Sequence, residues 1–289
     1  MSWRTVVIRT KAKLSYSNNY LVIKGDESRM IHLSEINSVI IESNAVSISA
    51  YLIAELINNK IKIIFCDEKH NPNAEVVSYY GCHNSSKRIK EQIQWDERWK
   101  AIIWTKIITQ KILNQSYLMR KLRLKDSEKV FKISQEVEIL DPTNREGYAA
   151  KTYFSRMFGK EFTRDLSSPI NSALDYGYSI LLSNFNREIV NYGYLTQLGL
   201  KHMNQFNAFN LSSDLMEPFR PLVDLIVYEH GDEEFDRDYK LDLVEVLNEK
   251  VYIKGKEYYL TNAINLYLGS IFEALNKNDD EGLVLFEML

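Results

Sequence analysis

GLKHMNQFNAFNLSSDLMEPFRPLVD, residues 199–224, packs one histidine, three acids and an arginine into a short span. His202 precedes Asp214 by twelve residues and Glu217 by fifteen, with an Asn/Phe alternation between them, so histidine and acids meet only if that connection folds back. Pro218 limits how a helix can run here, because proline is tolerated in a first turn and not deeper. The spacing therefore predicts one helix with Asp214 and Glu217 in its first turn, on a single face that Asp224 rejoins two turns later. Carboxylates are favoured at that positive end. A neutral imidazole beside two carboxylates suits a divalent cation of the Mg²⁺ or Mn²⁺ type. The same acids serve equally well as helix caps, with His202 a satisfied loop residue.

Outward from this segment, 289 residues at 45% hydrophobic content allow two domains, each with its own core. No uninterrupted apolar run reaches the ~20 residues of a membrane span, so a folded cytoplasmic protein with no membrane association is expected. Two cysteines, Cys66 and Cys82, give no disulfide framework. Thirty-six basic against 39 acidic residues exclude a uniformly basic nucleic-acid binder, leaving local patches. These are Arg4, Arg9, Lys11 and Lys13; Lys87, Arg88 and Lys90; and Arg120, Lys121, Arg123 and Lys125.

The first 79 residues read as a small, mostly antiparallel β domain, with short β-rich runs at 5–9, 13–16, 20–24, 30–33 and 38–41. Ser17-Asn18-Asn19 and Gly25-Asp26 supply turns. A helix over 47–58, a strand over 61–66 and a last strand over 75–79 complete it. YGCHNSS, 80–86, is the expected linker. From 87 to 289 the pattern is helical: a long apolar stripe from Ile89 to Tyr117 and on to about 122, then helices over 127–138, 143–158, 172–192 and 262–275. Thr143 and Glu146 form a capping box in this reading. A hairpin over 251–260 turns at Gly255, and the tail from 279 docks or frays. The expected class is α+β, a small β-rich N-terminal domain followed by a larger, otherwise all-helical catalytic domain.

TNREGYAAKTYF (143–154), SPINSALDYGYSILL (168–182), GLKH (199–202) and DLMEPFRPLVD (214–224) together resemble the adaptation integrase of CRISPR systems, CRISPR-associated protein one. SWRTVVI (2–8) and KLSYSNNYLVI (13–23) resemble its short type II form, subtype II-A. The resemblance spans nearly the whole chain. It implies a metal site in which the REG glutamate is Glu146, the histidine ahead of DLME is His202 and the acid within DLME is Glu217, with Asp214 a further candidate. Lys201-His202 departs from the Asp-Pro that many members carry there, which alters the loop while keeping the histidine's distance to DLME.

The resemblance further implies a divalent-metal-dependent endonuclease and integrase that inserts short foreign DNA into a CRISPR array for antiviral defence. A 3′-hydroxyl would attack a phosphodiester at the repeat boundary. Implied partners are DNA, a second copy of the chain, CRISPR-associated protein two bridging two dimers, the type II effector nuclease and an additional type II-A adaptation protein. Arg145, Lys201 and Arg220, each near an implied ligand, are candidate DNA contacts. Two other classes fit the residues: a metal-dependent nuclease acting by hydrolysis, and a non-catalytic DNA scaffold.

Overall fold

The computed structural model describes residues 4–68, 70–76 and 82–288. The chain divides into two compact units, 1–81 and 82–289. In the first, β1 (Arg4–Ile8), β2 (Lys13–Ser17), β3 (Tyr20–Lys24), β4 (Ser28–His32), β5 (Ile36–Ile41) and β6 (Ser47–Ile48) lead into α1 (Ala50–Asn58), followed by β7 (Lys62–Cys66) and β8 (Pro72–Glu75). The part of the expected last strand at 77–79, and Tyr80 and Gly81 of the expected linker, lie outside the described residues. Ser85 and Ser86, also assigned to the linker, already belong to a helix.

One sheet runs β4-β3-β2-β6 and the other β1-β5-β7-β8. In the first, β2-β3-β4 is an antiparallel meander, with β6 added parallel to β2; its β2–β3 turn is Asn18-Asn19, both at positive φ, the conformation a two-residue hairpin requires. The second corrects the antiparallel expectation, because β1 pairs parallel to β5 and β5 parallel to β7. INSVII in β5 is buried at every position, the signature of a parallel strand covered on both faces. The core of this unit joins Leu14, Leu21, Ile36 and Val39 to Leu52 and Leu56 of α1. Ser49 caps α1 by accepting the Leu52 N–H, so the helix begins later than 47.

The second unit contains α2 (Ser85–Ile93), α3 (Glu97–Lys121), α4 (Ser127–Ser134), α5 (Arg145–Met157), α6 (Pro169–Asn191), α7 (Asn210–Leu215), α8 (Arg220–His230) and α9 (Arg237–Glu245). A hairpin of β9 (Lys250–Ile253) and β10 (Lys256–Tyr259) precedes α10 (Leu260–Lys277). The unit is thus helical with one small hairpin, turned through Lys254 and Gly255 at positive φ. Among the described residues no helix is long and apolar enough to cross a membrane.

Several boundaries of this unit differ from expectation. The single helix expected from 87 to 122 is broken before α3, where extended Asp96 accepts the Trp99 N–H at 3.0 Å. The Trp95 indole N–H at the break donates to Asn276 at 2.8 Å. α4 stops at Ser134, four residues short. α6 starts at Pro169, with Ser168 accepting the Asn171 N–H, because proline is already shaped for the first helical position. The helix expected to open at Asp214 is instead two: α7 contains Asp214 near its end, a 3₁₀ turn carries Glu217–Phe219, and α8 starts beyond Pro218.

The tail docks. Phe286 is buried and stacks on Phe219 with ring centroids 4.6 Å apart. Asn114 of α3 donates to the carbonyls of Pro218 and Phe286 and accepts the Met288 N–H. Elsewhere α6 crosses α8 at Gly177, where an added Cβ would lie 2.4 Å from Val223 Cγ1 and 3.2 Å from Leu243 Cδ2. Gly177→Ala is therefore expected to lower stability by about 1–3 kcal/mol through overpacking, measured by urea unfolding. A change below about 0.5 kcal/mol would show that the two helices part freely.

Candidate active site

Glu146 stands in the first turn of α5, where the sequence reading gave its side chain a capping role with Thr143. The structure corrects this. Asn144 is the N-cap and accepts the Gly147 N–H, while Asp141 accepts the N–H groups of Arg145 and Glu146 at 2.7 and 2.9 Å. With the helix end satisfied by two other residues, the Glu146 carboxylate is available to α3. There it accepts a hydrogen bond from Lys111 Nζ at 2.8 Å.

Glu217 meets the same ammonium from the opposite side. Its Oε2 lies 2.5 Å from Lys111 Nζ, and its Oε1 accepts from Arg220 Nε at 2.9 Å. The Glu217 side chain is only 8% exposed and that of Lys111 12%. Oε2 is buried with an ion-pair partner but no aligned hydrogen bond. Burial pushes the Glu217 carboxyl up, yet Arg220 and Lys111 more than offset it and hold the group below the usual carboxylate range. Burial likewise opposes the Lys111 charge, and Glu217 and Glu146 outweigh it, so the ammonium stays protonated.

His202 reaches this corner because Asp214 folds the loop back. Asp214 is fully buried. Its Oδ2 accepts the backbone N–H groups of Leu200, Lys201 and His202, and its Oδ1 lies 2.5 Å from His202 Nδ1. Gly199 permits the turn: a Cβ there would sit 2.4 Å from the His202 carbonyl and 2.8 Å from Asp214 Oδ2. The hydrogen bond to Asp214 raises the imidazole's proton affinity, against burial, and the charges of Glu217 and Glu146 add to it. With Nδ1 committed to Asp214, Nε2 is the ring nitrogen without a hydrogen-bond partner among the described residues. This is the arrangement by which a carboxylate orients an imidazole toward a metal.

The structure thus brings Glu146 and Glu217 onto one ammonium and sets His202 within their field. Asp214, with both oxygens engaged, orients the loop. Among the described residues no three carboxylate, imidazole or thiol groups close on a common point at coordinating distance. Two carboxylates and an oriented imidazole nevertheless suit a hard divalent cation, and the Lys111 ammonium is a stand-in cation between the two carboxylates. Asp224 does not join the Glu217 face as its spacing suggested. It is buried and accepts hydrogen bonds from the hydroxyls of Tyr153 and Tyr178.

The three basic candidates all have protein partners. Arg220 binds Glu217 and lies over the Tyr178 ring at 4.4 Å. Arg145 pairs with Glu136 at 3.0 Å. Lys201 donates to the Leu140 carbonyl and sits 3.7 Å from the Trp104 ring centroid. Lys111 and Asn114 are the residues that sequence reasoning passed over. Lys111 had one visible mark, a lone cation in the isoleucine-rich run ITQKIL.

Residues 5–234 match the family model described as CRISPR associated protein Cas1. The chain is 33% identical over 296 residues to the CRISPR-associated endonuclease Cas1 of Neisseria meningitidis serogroup C, covering 100% of this chain and 97% of that one. Its fold is similar to that of a casposase bound to integration product, with a TM-score of 0.74 at 19% identity, covering 97% of this chain and 92% of that one. It is also similar to a chain of a partial Cas6-RT-Cas1–Cas2 complex, with a TM-score of 0.68 at 20% identity and 99% of both chains covered.

Asp224 offers a test of the site's buried wall. Burial pushes its carboxyl up to about 6, against the pull of Tyr178, Tyr153, Arg220 and Arg164. An acid whose folded pKa exceeds its unfolded value binds more protons when folded, so its contribution to stability is lost as pH rises from about 4 to about 6. The stability of the wild type relative to Asp224→Asn should therefore fall by about 2–3 kcal/mol between pH 4 and pH 7. A difference in unfolding free energy that does not change with pH would contradict this.

Proposed function

The chain belongs to the CRISPR-associated protein Cas1 family, and from that premise we propose that it joins the 3′-hydroxyl of a short DNA to a phosphodiester at a CRISPR repeat boundary, with Glu146, His202 and Glu217 holding one Mg²⁺ or Mn²⁺ ion. The observation that carries this reading is the meeting of Glu146 and Glu217 on a single cation beside an imidazole oriented by Asp214.

The reaction is an exchange of ester bonds. A bond forms between the attacking 3′-oxygen and phosphorus, and the bond from phosphorus to the original 3′-oxygen breaks. One proton leaves the attacking hydroxyl and one is taken up by the departing oxygen, so no ATP is needed. A divalent ion, when bound, supplies positive charge to the phosphoryl oxygens and activates the attacking hydroxyl. The protein's own groups set the geometry. Asp214 fixes the imidazole, Arg220 keeps Glu217 ionised and pointed at the site, and Asp141 holds the first turn of α5 so that the Glu146 carboxylate faces α3. Arg145 and Lys201 contact phosphate in this reading by exchanging the partners they now hold.

Insertion has two ends on opposite strands, which motivates a homodimer with two sites. The Cas1–Cas2 complex among the structural relatives supports CRISPR-associated protein two as a partner, and its bridging of two dimers is part of the proposal. The type II effector nuclease and the II-A adaptation protein belong to the same proposal. The name endonuclease carried by the Neisseria relative keeps hydrolysis as the second reading, with water attacking in place of a 3′-hydroxyl. Product analysis separates them, since joined strands mean transfer and shortened strands alone mean hydrolysis.

With Mn²⁺, the Cas2-type partner and a labelled duplex, Glu146→Ala and His202→Ala should each abolish joining into a repeat-bearing plasmid, as EDTA does, while circular dichroism stays native. Full metal-dependent joining by both variants would remove these side chains from the chemistry. Light scattering should find a dimer at micromolar concentration. Monomer alone, with and without DNA, would contradict the two-site assembly.

A further inference from the structure

The proposed ligand set leaves Lys111 unexplained. Its ammonium is directed at the facing oxygens of two carboxylates that come from different elements, the first turn of α5 and the 3₁₀ turn ahead of α8. A divalent ion bound by Glu217 would need at about 2.1 Å the Oε2 that faces Lys111, since Arg220 already holds Oε1. An ammonium and a divalent ion sharing that oxygen repel each other, so each weakens the other's hold on it. Removing the ammonium and putting nothing in its place leaves two carboxylates, one of them buried, facing each other, which like-charge repulsion and desolvation both oppose.

We propose that Lys111 is a resident counter-cation: it holds Glu146 and Glu217 in ligand-ready positions in the metal-free protein and is exchanged for the divalent ion. This deepens the function proposed above and rests on its ligand set. Lysine suits an exchange. Its charge is a point on a flexible four-carbon stem, without the planar fork that locks an arginine to a carboxylate. The side chain is not wholly enclosed, keeping 12% exposure. Arg220 stays behind, bound to the other oxygen of Glu217, and keeps that carboxylate from turning away. Lys111 is on this account a positioning residue in the resting protein, and a competitor that sets how tightly the ion is held.

The test is Mn²⁺ binding to the full chain without DNA, read from the electron paramagnetic resonance signal of free Mn²⁺ and from thermal unfolding with and without Mn²⁺. Lys111→Met should melt lower than wild type without metal, bind Mn²⁺ at least about tenfold more tightly because its competitor is gone, and gain more from Mn²⁺ in melting temperature. Equal or weaker binding by Lys111→Met overturns the exchange and leaves the ligand set standing. Absence of Mn²⁺ binding by both proteins removes the ligand set and the exchange together. Should the variant fail to fold, wild type alone decides. Acetylation of Lys111, followed by peptide mass spectrometry, should speed up several-fold on adding Mn²⁺ while exposed Lys250 is unaffected. An unchanged Lys111 rate overturns the proposal.

Discussion

Glu217 is a carboxylate that the fold buries and keeps charged, and this requirement organises the second unit. A buried anion needs opposite charge and hydrogen bonds at close range. Arg220 supplies both from the turn of backbone that follows, and Lys111 supplies charge from the middle of α3. Placing Glu217 there takes a break between α7 and α8, which Pro218 provides, and a tie from the break to α3, which Asn114 provides through the Pro218 carbonyl. The docked tail joins the same tie through Phe286 and Met288. Chain ends and helix ends far apart in sequence thus share the work of holding one side chain.

The histidine is placed by a different device. Nothing in an Asn/Phe-rich loop fixes His202 by itself, and the loop contributes two of the most exposed apolar side chains, Met203 and Phe206. Asp214 is the fixed point. It gathers three successive backbone N–H groups with one oxygen and the imidazole with the other. With both oxygens so engaged, Asp214 orients the loop and the imidazole together.

The α+β class and most of the strands and longer helices are legible in the sequence, because turn residues such as Asn18-Asn19 and Gly255 act locally. What was not legible depends on distant partners. The parallel pairing of β1 with β5 needs a crossover that no single window contains, and Asn37 and Ser38 hide from the sequence the burial of INSVII at every position. The break before α3 is invisible to periodicity since the apolar stripe continues through it, and only the cap at Asp96 marks it. Capping by Asn144 and Asp141 displaced the Thr143–Glu146 box because α5 is entered through backbone at positive φ, at Leu140, Asp141 and Asn144. Lys111 escaped notice for the same reason as Asp224's tyrosine partners: residue type and spacing do not reveal which side of a bundle another helix will cover. The candidate carboxylates and histidine came chiefly from motif resemblance, and their joint neighbourhood around Lys111 is a property of the folded chain.

The pairing of the two glutamates on one cation, with an oriented histidine alongside, makes a definite structural demand. Crystals of the protein soaked in Mn²⁺ and measured at a wavelength where manganese scatters anomalously will locate the ion directly. A single anomalous peak coordinated by Glu146, Glu217 and His202 Nε2, with Lys111 turned away, is the predicted result. A peak elsewhere, or an ion bound while Lys111 still bridges Glu146 and Glu217, would contradict it.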